Sequence, residues 1–498
     1  MRKENYILTI DQGTTGTRAG IVDKNGEMIS TAYQEISQTY PYEGWVEEDP
    51  EEIFYSVLHT IKDVLINLNI DISLIKSIGI ANQRETTILW DKLTGKTFGN
   101  AIVWQCNRTK QICDAINESG LSKKIKEISG LPVDPYFSAT KISWIINNVP
   151  GVQKSIANGT LAFGTVDSWL IWRLTNGKYH ITDTTNASRT LLFDIKKLEW
   201  SEELLDIFQI PKSIMPSIVP SSGELAIADP KYFQGYSIPI TGIIGDQQGS
   251  LFGQFCWEYG DLKNTYGTGA FMLVNTGSDL VYSSNGLLST IAWNFNGKVV
   301  YALEGSVFSA GAAITWLKDK IELIKKSDQI DILANKVLDN GGVYFVPAFS
   351  GLGSPYWNSG ARASFHGITL ENSNAHFARA VLESIAFQCN EIVKIMSKEM
   401  DHPIFEFVAD GGVSQSDILL QFQSDISNVI VKRTGTLEST ALGAAYLAGL
   451  GINFWKTTDE LKNSRKPKKH FKSNMNNAIR EKLINKWHKA VLRSSDWI

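Results

Sequence analysis

A two-domain α/β protein with a cleft between facing domains is the fold class this sequence predicts, and three observations carry the prediction. The chain has 498 residues, about three times the usual domain length. Short apolar runs bounded by Gly/Thr turns alternate with helical patterns, as expected for sheets layered with helices. Finally, a strand, Gly/Thr turn, strand unit at 7–22 recurs at 260–275, the mark of a duplicated domain. Two such units facing each other would grip a nucleotide from both sides.

Composition narrows the function. With 43% hydrophobic and 20% charged residues, the chain can bury large cores. Its 48 basic and 52 acidic residues give a net charge of −4, so there is no electrostatic case for nucleic acid or an anionic membrane as a partner. Cys106, Cys113, Cys256 and Cys389 are scattered without a CxxC pair, which suggests reduced thiols in the cytoplasm rather than zinc or a disulfide scaffold. The start, Arg2-Lys3-Glu4, leads straight into a strand that Asp11 interrupts, too short and polar for a secretion signal. No run of roughly 18 apolar residues is present to cross a bilayer.

The elements follow in order. Residues 7–10 form an apolar strand that ends at Asp11, turns through Gln12-Gly13-Thr14-Thr15-Gly16 and resumes to Val22. Such a turn can aim backbone N–H groups and hydroxyls at an oxyanion while the acid meets a hydrated cation, a phosphate-and-magnesium arrangement. The same string also suits an ordinary hairpin. Asn25-Gly26 marks the next turn and 28–33 a third strand; acids around Pro50 then open an amphipathic helix through Ile53, Val57, Ile61 and Val64. A strand at 75–81 ends in Asn82-Gln83-Arg84-Glu85-Thr86-Thr87, another at 101–105 ends in Trp104-Gln105, and Tyr136 follows Pro135. Arg84 and Glu85 fit either a surface ion pair or hydrogen bonds to a small polyol; Trp104 and Tyr136 fit either a core or a ring wall against the polyol's carbons.

The strand at 238–244 ends in Gly245-Asp246-Gln247-Gln248. A second acid at a strand end completes a phosphoryl-transfer pair: one carboxylate for the metal, one to accept the proton of an attacking hydroxyl. Beyond the repeated unit, Gly411-Gly412 ends a further strand before a helix at 417–426, where backbone can approach an adenosine closely. A small-residue helix at 443–449 packs against the sheet, the basic stretch 462–472 is a solvated loop, and a terminal helix spans 479–491.

These strings, in this order and joined by Gly-Trp-Val-Glu at 44–47 and Asn-Thr-Tyr-Gly-Thr-Gly at 264–269, resemble the glycerol-phosphorylating branch of the FGGY family of carbohydrate kinases along nearly the whole chain. The resemblance implies two duplicated ribonuclease-H-like domains of the actin/hexokinase ATPase type, divided here as 1–250 and 251–498. The first would carry the glycerol side and one phosphate loop, the second the other loop, the adenosine site and a terminal helix. It implies ATP and Mg2+, a homodimer or homotetramer, and Asp246 as catalytic base. Glycerol would meet Arg84, Glu85, Trp104, Tyr136, Asp246, Gln247 and Phe271. Nucleotide would meet Thr14, Thr15, Gly16, Arg18, Thr268, Gly311, Thr315, Gly412 and Ser416; Asp11 and Asp246 would serve the metal. A sister kinase for a pentulose or gluconate would share the phosphate loops but not the Arg84-Glu85, Trp104 and Tyr136 set, which a non-kinase actin-type ATPase would not need at all.

Three positions depart from the family's common pattern: Gly16 where serine is frequent, and Thr315 and Ser416 where glutamine and asparagine are. The last two bear on the base contacts. Residues 220–239 also lack the Gly-Gly and arginine with which some bacterial relatives bind fructose 1,6-bisphosphate, and the histidine that others present to a sugar-transport phosphocarrier.

Overall fold

The computed structural model describes residues 4–358, 360–436, 438–462 and 469–497. Two large sheets organise it. The first runs in the order Ser222–Ile227, Pro239–Gly245, Ile75–Asn82, Tyr6–Gly13, Gly16–Val22, Met28–Glu35. Its last three strands form an antiparallel meander, Ile75–Asn82 and Pro239–Gly245 add on in parallel, and Ser222–Ile227 closes the edge antiparallel.

The second sheet repeats that plan. Leu262–Tyr266, Ala270–Gly277 and Lys298–Val307 form the meander, Glu406–Asp410 and Ile430–Arg433 are its parallel strands, and Lys469–Phe471 is the antiparallel edge. One strand, Leu288–Phe295, is added beyond Lys298–Val307. The duplication inferred from two turns therefore extends to every strand of the first sheet.

Local chemistry explains the elements that frame the cleft. Helix Pro50–Leu68 begins where Asp49 accepts the Glu51 N–H at 2.8 Å and Pro50 needs no donor, and it ends at Asn69 in the left-handed region. Its buried face, Ile53, Val57, Ile61 and Val64, contributes about 1.5–3 kcal/mol per side chain. Helix Ser439–Gly451 belongs by sequence to the second half, yet it lies on strands of the first sheet and against helix Asp246–Gly253. Backbones touch there: a Cβ on Gly443 would collide with the Gly249 carbonyl, and one on Gly79 with that of Ala444. Apolar residues of both halves, including Ile7, Ala81, Ile244, Leu273, Leu442 and Leu447, form one core around it.

Several expectations need correction. The first strand does not stop at Asp11; it continues to Gly13, because the meander partner pairs it throughout, with Asp11 opposite Arg18. The strand expected at 101–105 is only Ala101–Ile102, and the chain turns before Trp104. Within the basic stretch 462–472, residues 463–468 lie outside the described residues, and Lys469–Phe471 is an edge strand rather than loop. The terminal helix is longer than expected, Asn477–Ser494. Among the described residues no helix is long and apolar enough to cross a membrane. All four cysteines are free and buried.

Candidate active site

Register brings the polar strand ends together. Gly245 pairs with Asn82 in parallel, so Asp246, the first residue of helix Asp246–Gly253, emerges beside Gln83 and Arg84. Asp11 lies one strand further on, paired with Ala81. The Asp246 carboxylate remains partly exposed, accepts the Gln247 N–H at 2.7 Å, and sits 3.2 Å from Arg84 Nε.

Arg84 and Glu85 are not a surface pair; each is 2% exposed. The Arg84 guanidinium donates to both oxygens of Glu304 (2.6 and 2.9 Å), to Gln248 Oε1 at 3.1 Å and to the Tyr136 hydroxyl at 3.3 Å. Its Nε–H faces Asp246 and is the donor least committed to protein. Glu85 adopts a positive φ of 61°, a strained conformation for a side chain of its size and one that marks functional sites. Arg189 Nε donates to its Oε1 at 2.7 Å, which leaves Oε2 as the oxygen open to a hydroxyl. Burial pushes the Glu85 carboxyl up, and Arg84 and Arg189 offset only part of that. For Glu304 burial acts the same way, but Arg189 and Arg84 outweigh it and hold the acid down at about 2.

An aromatic wall closes the pocket. Trp104 packs edge-on against Tyr136 (5.6 Å between rings) and Phe271 (6.2 Å), and its Nε1 donates to Thr14 Oγ1 at 2.9 Å, tying the wall to the first Gly/Thr turn. Gln247 is held from the opposite half, where Lys263 Nζ donates to its Oε1 at 2.6 Å. Burial lowers Lys263 to about 8. The structure thus gathers Asp11, Thr14, Arg84, Glu85, Trp104, Tyr136, Asp246, Gln247 and Phe271 in one place. Sequence reading missed Arg189, Lys263 and Glu304, and gave Gln248 no role beyond its place in the 245–248 string. The signal available for Glu304 and Lys263 was a charge in the interior of a strand, where side chains are buried.

The nucleotide candidates split into two groups. Thr268, Gly311, Thr315, Gly412 and Ser416 line one cavity of about 590 Å³ in the second half, together with Asp328 and Asp331. Backbone approach is close there, since a Cβ on Gly311 would meet the Gly267 carbonyl at 2.6 Å, whereas the space beside Gly412 is open. The first N–H groups of helix Gly311–Asp319 are already taken by the carbonyls of Gly267 and Thr268, so Gly311 contributes room rather than a donor. Ser416 is also committed: its hydroxyl donates to Asp331 at 2.7 Å and accepts the Leu419 N–H as a helix cap. Thr14, Thr15, Gly16 and Arg18 stand on the first meander instead, with Arg18 paired to Glu438 at 2.6 Å. Gly16 has a local reason to lack a side chain, because a Cβ would run into the Gln34 carbonyl and the Tyr33 hydroxyl, both 2.5 Å away.

The metal candidates, Asp11 and Asp246, come from strand Tyr6–Gly13 and from the start of the helix after Pro239–Gly245, two strands of the first sheet that flank Ile75–Asn82. Among the described residues no group of three His, Cys, Asp or Glu side chains forms a metal cage. Two carboxylates with no such cage suit magnesium, which keeps several waters and shares its remaining positions with phosphate oxygens. Burial raises the Asp11 carboxyl to about 7, Arg18 offsets part of this, and Asp246 and Glu438 add to it. An acid crowded by other acids is a place where a cation is favourable.

Residues 6–253 match the N-terminal domain of the FGGY family of carbohydrate kinases, and residues 262–452 match its C-terminal domain. The chain belongs to this family. FGGY relatives include glycerol kinase 2 of Thermotoga maritima, 50% identical over 99% of both chains, and the glycerol kinase of Clostridium botulinum, 49% identical over 99% of both. The solved structure of Plasmodium falciparum glycerol kinase with ADP superposes with a TM-score of 0.92 at 39% identity, covering 99% of this chain and 98% of that one. Its FGGY fold is shared with xylulose kinase from Lactobacillus acidophilus at a TM-score of 0.86 and 24% identity, over 98% of this chain and 97% of that one.

Proposed function

We propose that the chain transfers the γ-phosphoryl group of ATP to a terminal hydroxyl of glycerol, giving sn-glycerol 3-phosphate and ADP. The observation that carries this reading is the cluster in which buried Arg84 and Glu85, with half-buried Gln247, offer hydrogen bonds, Trp104, Tyr136 and Phe271 offer an apolar wall, and partly exposed Asp246 stands beside Arg84. Full-length relatives about half identical in sequence are glycerol kinases, which agrees with it.

Asp246 accepts the proton of the attacking hydroxyl as its oxygen forms a bond to the γ-phosphorus and the bond to the β-phosphate bridging oxygen breaks. The Nε–H of Arg84 and the free oxygen of Glu85 bind the two hydroxyls farther from the reacting one, and the ring wall excludes water, a competing acceptor. Asp11 and Asp246 would hold magnesium, which when bound neutralises charge on the phosphate oxygens. In this reading residues 1–250 carry glycerol and one phosphate loop, while 251–498 carry the second loop and the adenosine cavity. The inferred setting is the cytoplasm, consistent with four free thiols.

A coupled assay of ADP formation with glycerol, xylulose, gluconate or no acceptor tests the proposal. Turnover that depends on glycerol is expected; equal rates without acceptor would indicate an ATPase, and a preference for xylulose or gluconate a sister kinase.

Two further outcomes are expected. Thr315 lines the cavity with a single hydroxyl and the Ser416 hydroxyl is occupied by Asp331 and the helix cap, so neither offers a base edge the paired donor and acceptor of an amide. GTP should therefore serve with a kcat/KM within about tenfold of ATP, a difference of roughly 1.4 kcal/mol; a larger ATP preference, read from parallel titrations, would place base selection in backbone near Gly412. Millimolar fructose 1,6-bisphosphate should leave the rate unchanged. Among the residues at 220–239, the only Lys, Arg or His is Lys231, which is engaged with Asn176, and a bisphosphate needs convergent donors of the arginine type. Non-competitive inhibition in the same assay would contradict that.

A further inference from the structure

We infer that Glu304 and Arg189 are positioning residues of the polyol pocket, and that they set its preference for an acceptor with three hydroxyls. The inference rests on the glycerol-kinase reading above and concerns two side chains that never need to touch substrate. Arg189 and Glu304 are 0% exposed, and with Arg84 and Glu85 they close a square of alternating charge. Arg84 meets both oxygens of Glu304, Arg189 Nη2 meets Glu304 Oε1 at 3.1 Å, Arg189 Nε meets Glu85 Oε1 at 2.7 Å, and the fourth side is the looser one, with Arg84 Nε 3.8 Å from the same Glu85 oxygen.

The square decides which polar atoms remain for a ligand. Glu304 occupies one N–H on each terminal nitrogen of Arg84, so the guanidinium plane is fixed and Nε–H is turned toward Asp246. Arg189 occupies one oxygen of Glu85 and leaves the other. Its guanidinium also lies 5.6 Å from the centre of the Tyr136 ring and 5.4 Å from that of Phe137, backing the aromatic wall. A planar fork held at two edges loses little freedom when a hydroxyl docks, which favours specificity over mere attraction. Strand Lys298–Val307, which supplies Glu304, comes from the second sheet, whereas Arg84 and Arg189 come from the first half. Recognition of the acceptor thus depends on both halves.

Loss of the Glu304 charge would leave two buried arginines sharing Glu85, with Arg84 drawn to its other acidic neighbour, Asp246. The pocket would keep its volume and lose its fixed hydrogen-bond spacing. Discrimination by hydrogen bonding fails when spacing fails, because the penalty for a missing hydroxyl arises from site groups left unpaired.

The experiment is steady-state kinetics of Glu304→Gln and Arg189→Lys with glycerol, 1,2-propanediol and ethylene glycol, alongside nucleotide titrations and thermal melts. For both variants the glycerol KM should rise at least about tenfold, the ATP KM should stay within about twofold, and the ratio of kcat/KM for glycerol over 1,2-propanediol should fall at least about tenfold. Glu304→Asp should recover part of that ratio. A rise in KM for both substrates with an unchanged glycerol preference would overturn the inference, since only general loosening would then be at work. Folded variants with unaltered kinetics would overturn it too, as would failure of both to fold, which would assign the square to stability alone. If the unsubstituted enzyme showed no glycerol-dependent turnover, the underlying reading would have failed instead, an outcome the parallel wild-type assay identifies.

Discussion

Asp246→Asn is expected to lower glycerol-dependent turnover by about 10²–10⁴-fold or more, with nucleotide still bound. Asparagine has the same shape and can still accept the Gln247 N–H that orients the carboxylate, so the pocket should survive. It cannot take a proton from an attacking alcohol at neutral pH. Rapid-quench or steady-state rates, paired with a nucleotide titration, check this. A variant turning over at near wild-type rate would remove Asp246 from the chemistry; one that lost nucleotide as well would give it a mainly metal-holding role.

Arg84→Ala should be nearly as damaging, by another route. It removes a guanidinium that Glu304, Gln248, Tyr136 and Asp246 all face, leaving Glu304 with Arg189 as its remaining guanidinium partner. Breaking a buried pair by deleting one partner costs about 3–5 kcal/mol, part of it as stability and part as lost glycerol affinity. A rise of roughly 10²–10³-fold in the glycerol KM is expected, with the ATP KM within about twofold and a lower melting temperature. Lysine at this position should rescue little, because a compact ammonium cannot reproduce the planar fork that meets both Glu304 oxygens from its two ends and faces Asp246 along Nε–H. If ATP rather than glycerol lost affinity, the pocket assignment would be wrong.

Much of the fold was legible because its signals are local. Each Gly/Thr turn sits between short apolar runs, Pro50 and its acids announce a helix, and two similar turns half a chain apart reveal the duplication. The two acids were legible for the same reason: Asp11 and Asp246 each follow an apolar run, although the first strand carries on past Asp11 to Gly13. What escaped is non-local. Glu304 and Arg189 lie 220 and 105 residues from Arg84, and nothing in their own surroundings says which buried charge they will neutralise. The Ser416 hydroxyl reads as a free nucleotide contact until the fold supplies Asp331 and the Leu419 N–H. Trp104 was assigned to a strand because 101–104 is apolar, yet only two of those residues find a partner strand.

The helix Ser439–Gly451 that crosses onto the first sheet has a consequence for how the gene can be divided. Although the family's two regions meet near residue 255, a polypeptide ending there would lose the helix that packs over Ile7, Ala81 and Ile244, and the complementary fragment would carry a helix of almost uniformly small and apolar residues without the sheet it rests on. Produced alone, each should collect in inclusion bodies; produced together in one cell, they should find each other and reconstitute activity, because the missing layer of one is the surplus element of the other. The bare backbone contact between Gly249 and Gly443 would then be where the reunited pieces tolerate the least change, even though it lies outside the chemistry.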